Sequence, residues 1–378
     1  MARTRAALLL VLAVVVHPRV SHGDGKKELP LAGARGATSD VARIAKETRD
    51  AGATVQSAEY RMKEVAVTSE DQYSCHQYDA PDGGEGESFA FAFEAVEEAF
   101  GGRVHHMLVF GCDGKKVHDD NFQCGMSNGP CLGLNRQTFL FGWAKDADGI
   151  ALPQHAGFGV GPRSNIKTIV IQVHYANPLP DLDSAGVRMY YTTTPKLASI
   201  SYYAGVVSGV AASKLIIPPQ VEKTSIPITC KWDGPESLFV FAYRVHAHNL
   251  AYGLPITWEM HRPDVHEVGE WEMIAERDPG LAQVFNILET PVQIRKGDSW
   301  RLTCNYNSMS RKSMVRVGAS NKAEMCNLYL MYYATHDMAW ACRDDHVMSL
   351  DPRGHRPKMV NQMGGMPLQG LRGDHTSG

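Results

Sequence analysis

Long runs of lysine or arginine are missing from this 378-residue chain, and its formal net charge is only −3. The basic footprint of a nucleic-acid binder is therefore absent, and nucleic acid is excluded as a partner. No Gly-rich phosphate loop opens a helix, which argues against a nucleotide cofactor. No apolar run reaches the roughly 18–20 residues that a spanning helix needs, so no membrane span is expected. There is no Cys-x-x-Cys pair and no Asn-x-Ser/Thr acceptor, which argues against a thiolate metal cluster and offers no site for N-glycosylation. Segments with the period of a long helix are almost lacking. What fills the chain is short strands separated by Gly, Pro and Asn, and this predicts all-β sandwiches with minor helices.

The N-terminus carries Arg3 and Arg5, an apolar stretch from Ala6 to Val16, and small or polar residues around Ser21-His22-Gly23. That layout predicts a secretory signal over residues 1–23 and a location outside the cell or in a secretory-granule lumen. Residues 24–55 are polar and Ala/Gly-rich, with Lys26-Lys27 as a processing step and a weak helical segment near Asp40–Arg49; they read as a propeptide or loose arm. Residues 347–378, rich in Gly, Pro and Met without periodicity, read as a disordered tail. In a secreted chain the eight cysteines imply four disulfides. They fall into two groups, Cys75, Cys112, Cys124, Cys131 and Cys230, Cys304, Cys326, Cys342, and spacing alone leaves roughly 105 pairings open. Four per half, with a Pro-bearing break at Thr194-Pro195, suggests domains over 56–196 and 197–346.

The residues that carry chemistry are His105-His106, His174, the His246-Ala247-His248 step and Met325. Five imidazoles and a thioether imply copper, because zinc sites close with Cys, His or carboxylate, whereas a thioether is a soft ligand suited to Cu(I). Each His alone is more often structural than a ligand; the joint pattern reverses this. Side chains alternate along a strand. Over Thr168–Tyr175 that puts His174 opposite the apolar set Ile169, Ile171, Val173 and Tyr175. Over Phe239–His248 it puts Arg244, His246 and His248 opposite Phe239, Phe241, Tyr243 and Val245. A third strand sets Met325, Asn327, Tyr329 and Met331 on one face. Neighbouring His105 and His106 can serve one metal only at a bulge or a strand end. Met107 and Met331 read as core filling, and His118, His155, His261, His266 and His336 as surface or packing residues.

Four segments together resemble the copper type II, ascorbate-dependent monooxygenase family over about residues 55–345: His105-His106-Met107-Leu108 leading to Phe110-Gly111-Cys112, the Gln172–Tyr175 strand, Phe241–His248, and Glu324–Tyr329. The likeness is to the branch that hydroxylates peptides. It implies two jelly-roll-like antiparallel β-sandwich domains facing across a cleft, and two copper ions. His105, His106 and His174 match the ligands of an electron-storing copper. His246, His248 and Met325 match those of the catalytic copper that binds oxygen. Ascorbate would be the reductant and O2 the co-substrate. Arg244, Asn327 and Tyr329 match the residues that hold the substrate's terminal carboxylate, so glycine-extended peptides would be hydroxylated at the glycine α-carbon. The resemblance also implies the disulfides Cys75–Cys124, Cys112–Cys131, Cys230–Cys342 and Cys304–Cys326. The C-terminal stretch leaves no room for the lyase domain of bifunctional relatives, so a separate lyase enzyme would act on the product. An amine β-hydroxylase of the same family and a non-catalytic secreted copper-binding protein are the alternatives.

Overall fold

The computed structural model describes residues 38–349 except 85–86, 97–98, 100, 125–129, 135–136, 145–146, 194–201, 319–321 and 338–339. The secretory signal, the Lys26-Lys27 step, the Thr194-Pro195 break and residues 350–378 lie outside the described residues. No helix among the described residues is long and apolar enough to cross a membrane.

The architecture is all-β, as the short alternating segments predict, with one α-helix of note. That helix spans Val41–Asp50, capped by the Asp40 carboxylate, which accepts from the Arg43 N–H at 3.0 Å. Val41, Ile44 and Ala45 recur at helical spacing and are buried, with Val41 and Ile44 packed on Phe91, Ala92 and Ala151. The expectation of a loose arm over 24–55 is thus corrected from residue 38 onward: an amphipathic helix docks there and runs into the strand Val55–Arg61. At the other end His346–Ser349 pairs with Trp340–Arg343, so ordered chain continues past residue 346.

A five-stranded sheet in the N-terminal half has the order Phe122–Gln123, Gln72–Asp79, Thr168–Tyr175, His106–Cys112, Gln137–Ala144. Thr168–Tyr175 is its middle strand and is buried along its whole length. The polar face read for His174 is therefore covered. Cys75–Cys124 and Cys112–Cys131, with Phe110 and Phe139, pack over Val170 on that side. A second, eleven-stranded sheet takes strands from both halves of the chain. Its two halves join where Ala156–Val160 pairs in parallel with Tyr202–Val210, in register Tyr202 to Ala156 and Tyr203 to Gly157. On the C-terminal side Tyr202–Val210, Asn327–Ala334, Leu238–His246 and Asn286–Ile294 follow in antiparallel order.

Opposite these lies a four-stranded sheet of Thr224–Lys231, Ser299–Tyr306, Ile256–His261 and Glu272–Arg277. Between the layers Trp232, Trp258 and Trp300 are each 1% exposed or less, and with Leu328, Leu330 and Val240 they form the C-terminal core. Burying side chains of this size contributes about 1.5–3 kcal/mol apiece. The disulfides Cys230–Cys342 and Cys304–Cys326 cross this core. All four disulfides are those the resemblance implies, and each constrains the unfolded chain by about 2–4 kcal/mol. Cys304–Cys326 ties the residue after Met325 to a core strand.

Candidate metal centre

His106 is the first residue of its strand and pairs directly with His174 on the neighbouring one. His105 precedes the strand, and its N–H donates to the His174 carbonyl at 3.0 Å. A strand end is what allows consecutive histidines to turn the same way. Their Nδ1 atoms are 3.1 Å apart, and His174 Nδ1 is 3.4 Å from His106 Nδ1. All three ligand atoms fall within 4.8 Å of one another, a spacing that could hold one metal ion. His174 Nε2 meets the Asp71 carboxylate at 3.1 Å. A carboxylate only accepts, so Nε2 carries the proton and Nδ1 keeps its lone pair for the shared point. The Tyr73 ring stacks on His174 at 4.1 Å and fixes its plane. Burial, then the neighbouring imidazoles, hold His106 well below the usual histidine range. Burial and His105 bring His174 down to about 4 against the opposing pull of Asp71. Neutral imidazoles are what copper or zinc requires.

In the C-terminal half His246 ends the strand Leu238–His246, and its Nε2 lies 3.2 Å from Met325 Sδ. Its Nδ1 contacts Gln283 Oε1. The Gln283 amide has one permissible orientation, because its Nε2 donates to two carbonyls, Ala247 at 3.0 Å and Pro279 at 2.7 Å. Its oxygen must then face His246, so Nδ1 carries the proton and Nε2 is free beside the thioether. His248 uses the same device, with Nδ1 at 3.1 Å from the Ala323 carbonyl. Burial and the nearby Arg244 charge bring His246 down to about 3.

Glu324 fastens this set from below. Fully buried, it accepts from the backbone N–H of His248 and Leu250, both at 2.8 Å, and of Met325 at 3.3 Å. Burial pushes its carboxyl up, and the three donors work against that rise. Tyr306 donates its hydroxyl to the Met325 carbonyl at 2.7 Å. One cavity of about 580 Å³ joins both sets: His105, His106, His174, Arg244, His246 and His248 all line it. Phe139 of the N-terminal half reaches the C-terminal half beside this cavity, its ring 5.4 Å from Tyr329 and 5.7 Å from the Arg244 guanidinium.

Arg244 is 6% exposed and faces Tyr329 across the strand pair. Its Nε donates to the Gln283 carbonyl at 2.6 Å, and its guanidinium lies 5.2 Å from the Tyr329 ring. Among the described residues no carboxylate comes within 4 Å of it. Of the expected carboxylate trio only Arg244 lines the cavity. Asn327 and Tyr329 stand behind it, joined by a 3.2 Å hydrogen bond from the Asn327 amide to the Tyr329 hydroxyl.

Three details of the strand reading need correction. A bulge at Phe241 interrupts the pairing of Leu238–His246 with its neighbour, so the inward series is Leu238, Val240, Val245 and Ala247, while Phe239 and Phe241 stack on Tyr333. His248 lies beyond the strand end, at the start of the short turn Asn249–Ala251. Met325 precedes its strand, which begins at Asn327. Met107 and Met331 are fully buried core residues. Asp71, Gln283 and Phe139 had no sequence signal. Each sits far along the chain from the group it serves, Gln283 in a Pro/Gly-bearing loop and Asp71 in a turn with positive φ.

The description "Copper type II ascorbate-dependent monooxygenase, N-terminal domain" matches residues 58–181, and its C-terminal domain counterpart matches 202–349. The chain is 31% identical to peptidyl-glycine alpha-amidating monooxygenase A of Xenopus laevis over 305 residues, 79% of this chain and 30% of that protein. It is 30% identical to peptidylglycine alpha-amidating monooxygenase of Rattus norvegicus over 277 residues, 72% of this chain and 26% of that protein. It is 28% identical to DBH-like monooxygenase protein 1 of Homo sapiens over 249 residues, 61% of this chain and 39% of that protein. The chain thus spans less than a third of the alpha-amidating relatives. Among solved structures, PNGF-II aligns over 79% of this chain and 68% of its own at a TM-score of 0.31 and 6% identity, which carries no argument.

Proposed function

The chain belongs to the copper type II ascorbate-dependent monooxygenase family, and we propose that it hydroxylates the α-carbon of the C-terminal glycine of peptides. The observation that carries this reading is Arg244: a buried guanidinium with no acid partner among the described residues, on the wall of the cavity that His246 and His248 line. A buried charge costs several kcal/mol unless a counter-charge or hydrogen bonds satisfy it, and a peptide's terminal carboxylate supplies both. Arg244 would bind it through charge-assisted hydrogen bonds. Tyr329 already accepts from Asn327, which leaves its own O–H to donate to the same acid once the Phe139 ring withdraws.

In this reading His105, His106 and His174 hold one copper and His246, His248 and Met325 a second, with ascorbate as reductant and O2 as co-substrate. The imidazole tautomers set by Asp71, Gln283 and the Ala323 carbonyl fit such ions. Copper bound to these sets supplies electron storage and oxygen activation. The protein's own part is to fix the peptide acid on Arg244 so that the glycine α-carbon lies beside the His246 set. Four disulfides fit folding in an oxidising compartment and a secreted or granule-lumen location.

Copper-loaded protein given ascorbate, oxygen and a glycine-extended peptide should add one oxygen atom to the peptide, read by mass spectrometry. Oxygen added to a phenolic amine and not to the peptide would transfer the chain to the amine β-hydroxylases, and no transfer to either would leave a copper-binding protein. Two variants test the division of labour. His174→Ala should leave peptide affinity near that of the parent and lower kcat by roughly 10–100-fold; a normal steady-state rate rules out a required role for that set. Gln283→Ala frees the His246 ring but keeps the backbone carbonyl that Arg244 contacts, so copper affinity at the second set should fall roughly 10–100-fold while peptide affinity stays near that of the parent. Equilibrium dialysis showing unchanged copper retention would remove Gln283 from the site.

A further inference from the structure

His105 stands in the wall between two cavities. One is the 580 Å³ chamber; the other, of about 350 Å³, lies behind it and is lined among others by Arg103, His105, Trp143, Asn177 and Leu179. We propose that this second cavity is the docking site of the reductant, an anionic enediol such as ascorbate, which delivers electrons through the outer side of His105. The proposal rests on the reading that His105, His106 and His174 hold copper.

The chemistry of the wall favours a small anion. Among the described residues Arg103 is the one Lys, Arg, Asp or Glu side chain that lines it. Its Nε donates to Asp183 at 3.3 Å and one Nη to the Leu182 carbonyl at 3.4 Å, which leaves further guanidinium N–H groups of the five for a ligand. Asp183, 1% exposed and also accepting from the Tyr175 hydroxyl at 2.7 Å and the Ala185 N–H at 3.0 Å, pairs with Arg103 and fixes its orientation, so what Arg103 brings to the cavity is a set of fixed N–H donors. Asn177, exposed at the rim, offers an amide donor and acceptor suited to an enediol. The buried Trp143 donates its ring N–H to the Ala147 carbonyl at 2.9 Å, so it presents an apolar surface to a lactone ring. A volume near 350 Å³ is at the small end of ligand pockets, roughly 300–1,000 Å³.

The arrangement separates two anions that would otherwise compete. Arg244 in the main chamber is the receptor for the peptide acid, whereas Arg103 serves the reductant from the other side of His105. Each ascorbate monoanion gives one electron to a copper(II) ion, leaving copper(I). Its remaining enediol proton goes to water, and it departs as the ascorbyl radical anion, so two ascorbates reduce two coppers.

The test has a metal-free and a metal-loaded arm. Saturation-transfer NMR on the metal-free protein should detect bound ascorbate, undisplaced by saturating glycine-extended peptide and weakened in Asn177→Asp, where a new negative charge faces the anion. In the copper(II)-loaded protein, anaerobic loss of the copper EPR signal should slow roughly tenfold in Asn177→Asp with ascorbate. It should be unchanged with an uncharged phenylenediamine. Arg103→Gln, which retains a donor for Asp183, should move in the same direction. Displacement of ascorbate by peptide, or equal slowing with both reductants, overturns the proposal. Failure of the copper reading is seen separately, as a protein that binds ascorbate in the metal-free arm yet retains no copper at the His105 set.

Discussion

Met325→Ile is expected to lower hydroxylation of a glycine-extended peptide by more than about 100-fold while copper at the His105 set is retained. The scale follows from the loss of a direct ligand, since changes one shell further out already cost roughly 10–100-fold in metal affinity or activity. Met325 is held with unusual care for a half-buried methionine. Its carbonyl is fixed by Tyr306, its N–H by Glu324, and the next residue by the Cys304–Cys326 disulfide. Its sulfur then sits 3.2 Å from His246 Nε2 and 3.8 Å from the Asn327 amide. Isoleucine keeps the apolar bulk and the backbone contacts, so the fold should survive. X-ray absorption of the reduced parent protein should contain a sulfur scatterer that disappears in the variant. A sulfur signal that persists would remove Met325 from the metal, and with it the pairing of one all-imidazole set with one thioether set. His246→Ala should abolish turnover likewise while leaving the other copper in place.

How far these residues could be read from the sequence depended on the range of the interaction concerned. Alternation along single strands is local, and it separated Asn327 and Tyr329 from the core residues Leu328 and Leu330 correctly. It failed at Phe241, because a bulge adds a residue and reverses the phase on either side of it; the bulge depends on the neighbouring strand, which a single segment does not reveal. The burial of Thr168–Tyr175 on both faces was missed for a similar reason: the cover over Val170 is a pair of disulfides closed by cysteines distant in the chain. Docking of the Val41–Asp50 helix turned on where Phe91 and Ala151 would be brought, again a matter of topology. Ligand types were legible because metal chemistry restricts them to few residues. Their supports were not, since any acceptor at the right place can fix an imidazole tautomer: Asp71 does so for one ring, Gln283 for a second and the Ala323 backbone for a third. The continuous sheet through both halves had no signal at all, because it rests on a two-residue parallel contact.

Arg244→Ala is expected to weaken apparent peptide affinity by about 10–150-fold, the equivalent of about 1.5–3 kcal/mol for a hydrogen bond to a charged group. The guanidinium is buried and rests against Phe139 and Tyr329, with its Nε committed to the Gln283 carbonyl. Only its outer N–H groups therefore remain for a ligand. Burial lowers its pKa from the ordinary arginine value, and the neighbouring Tyr329 opposes that shift, but arginine remains charged throughout the working range. A charge held in that manner gains most from an acid that arrives with two coplanar oxygens. Arg244→Lys should recover only part of the loss, because an ammonium lacks the planar fork and its stem would leave the contact with the Tyr329 ring. The control is a peptide whose terminal carboxylate is already an amide. It should be a poor substrate for the parent enzyme and lose little more in Arg244→Ala, so that the two changes are not additive, as required of groups that touch. Steady-state measurements on the four combinations of enzyme and peptide decide the matter. Equal turnover of acid and amide by the parent would detach Arg244 from the carboxylate and favour an amine as substrate.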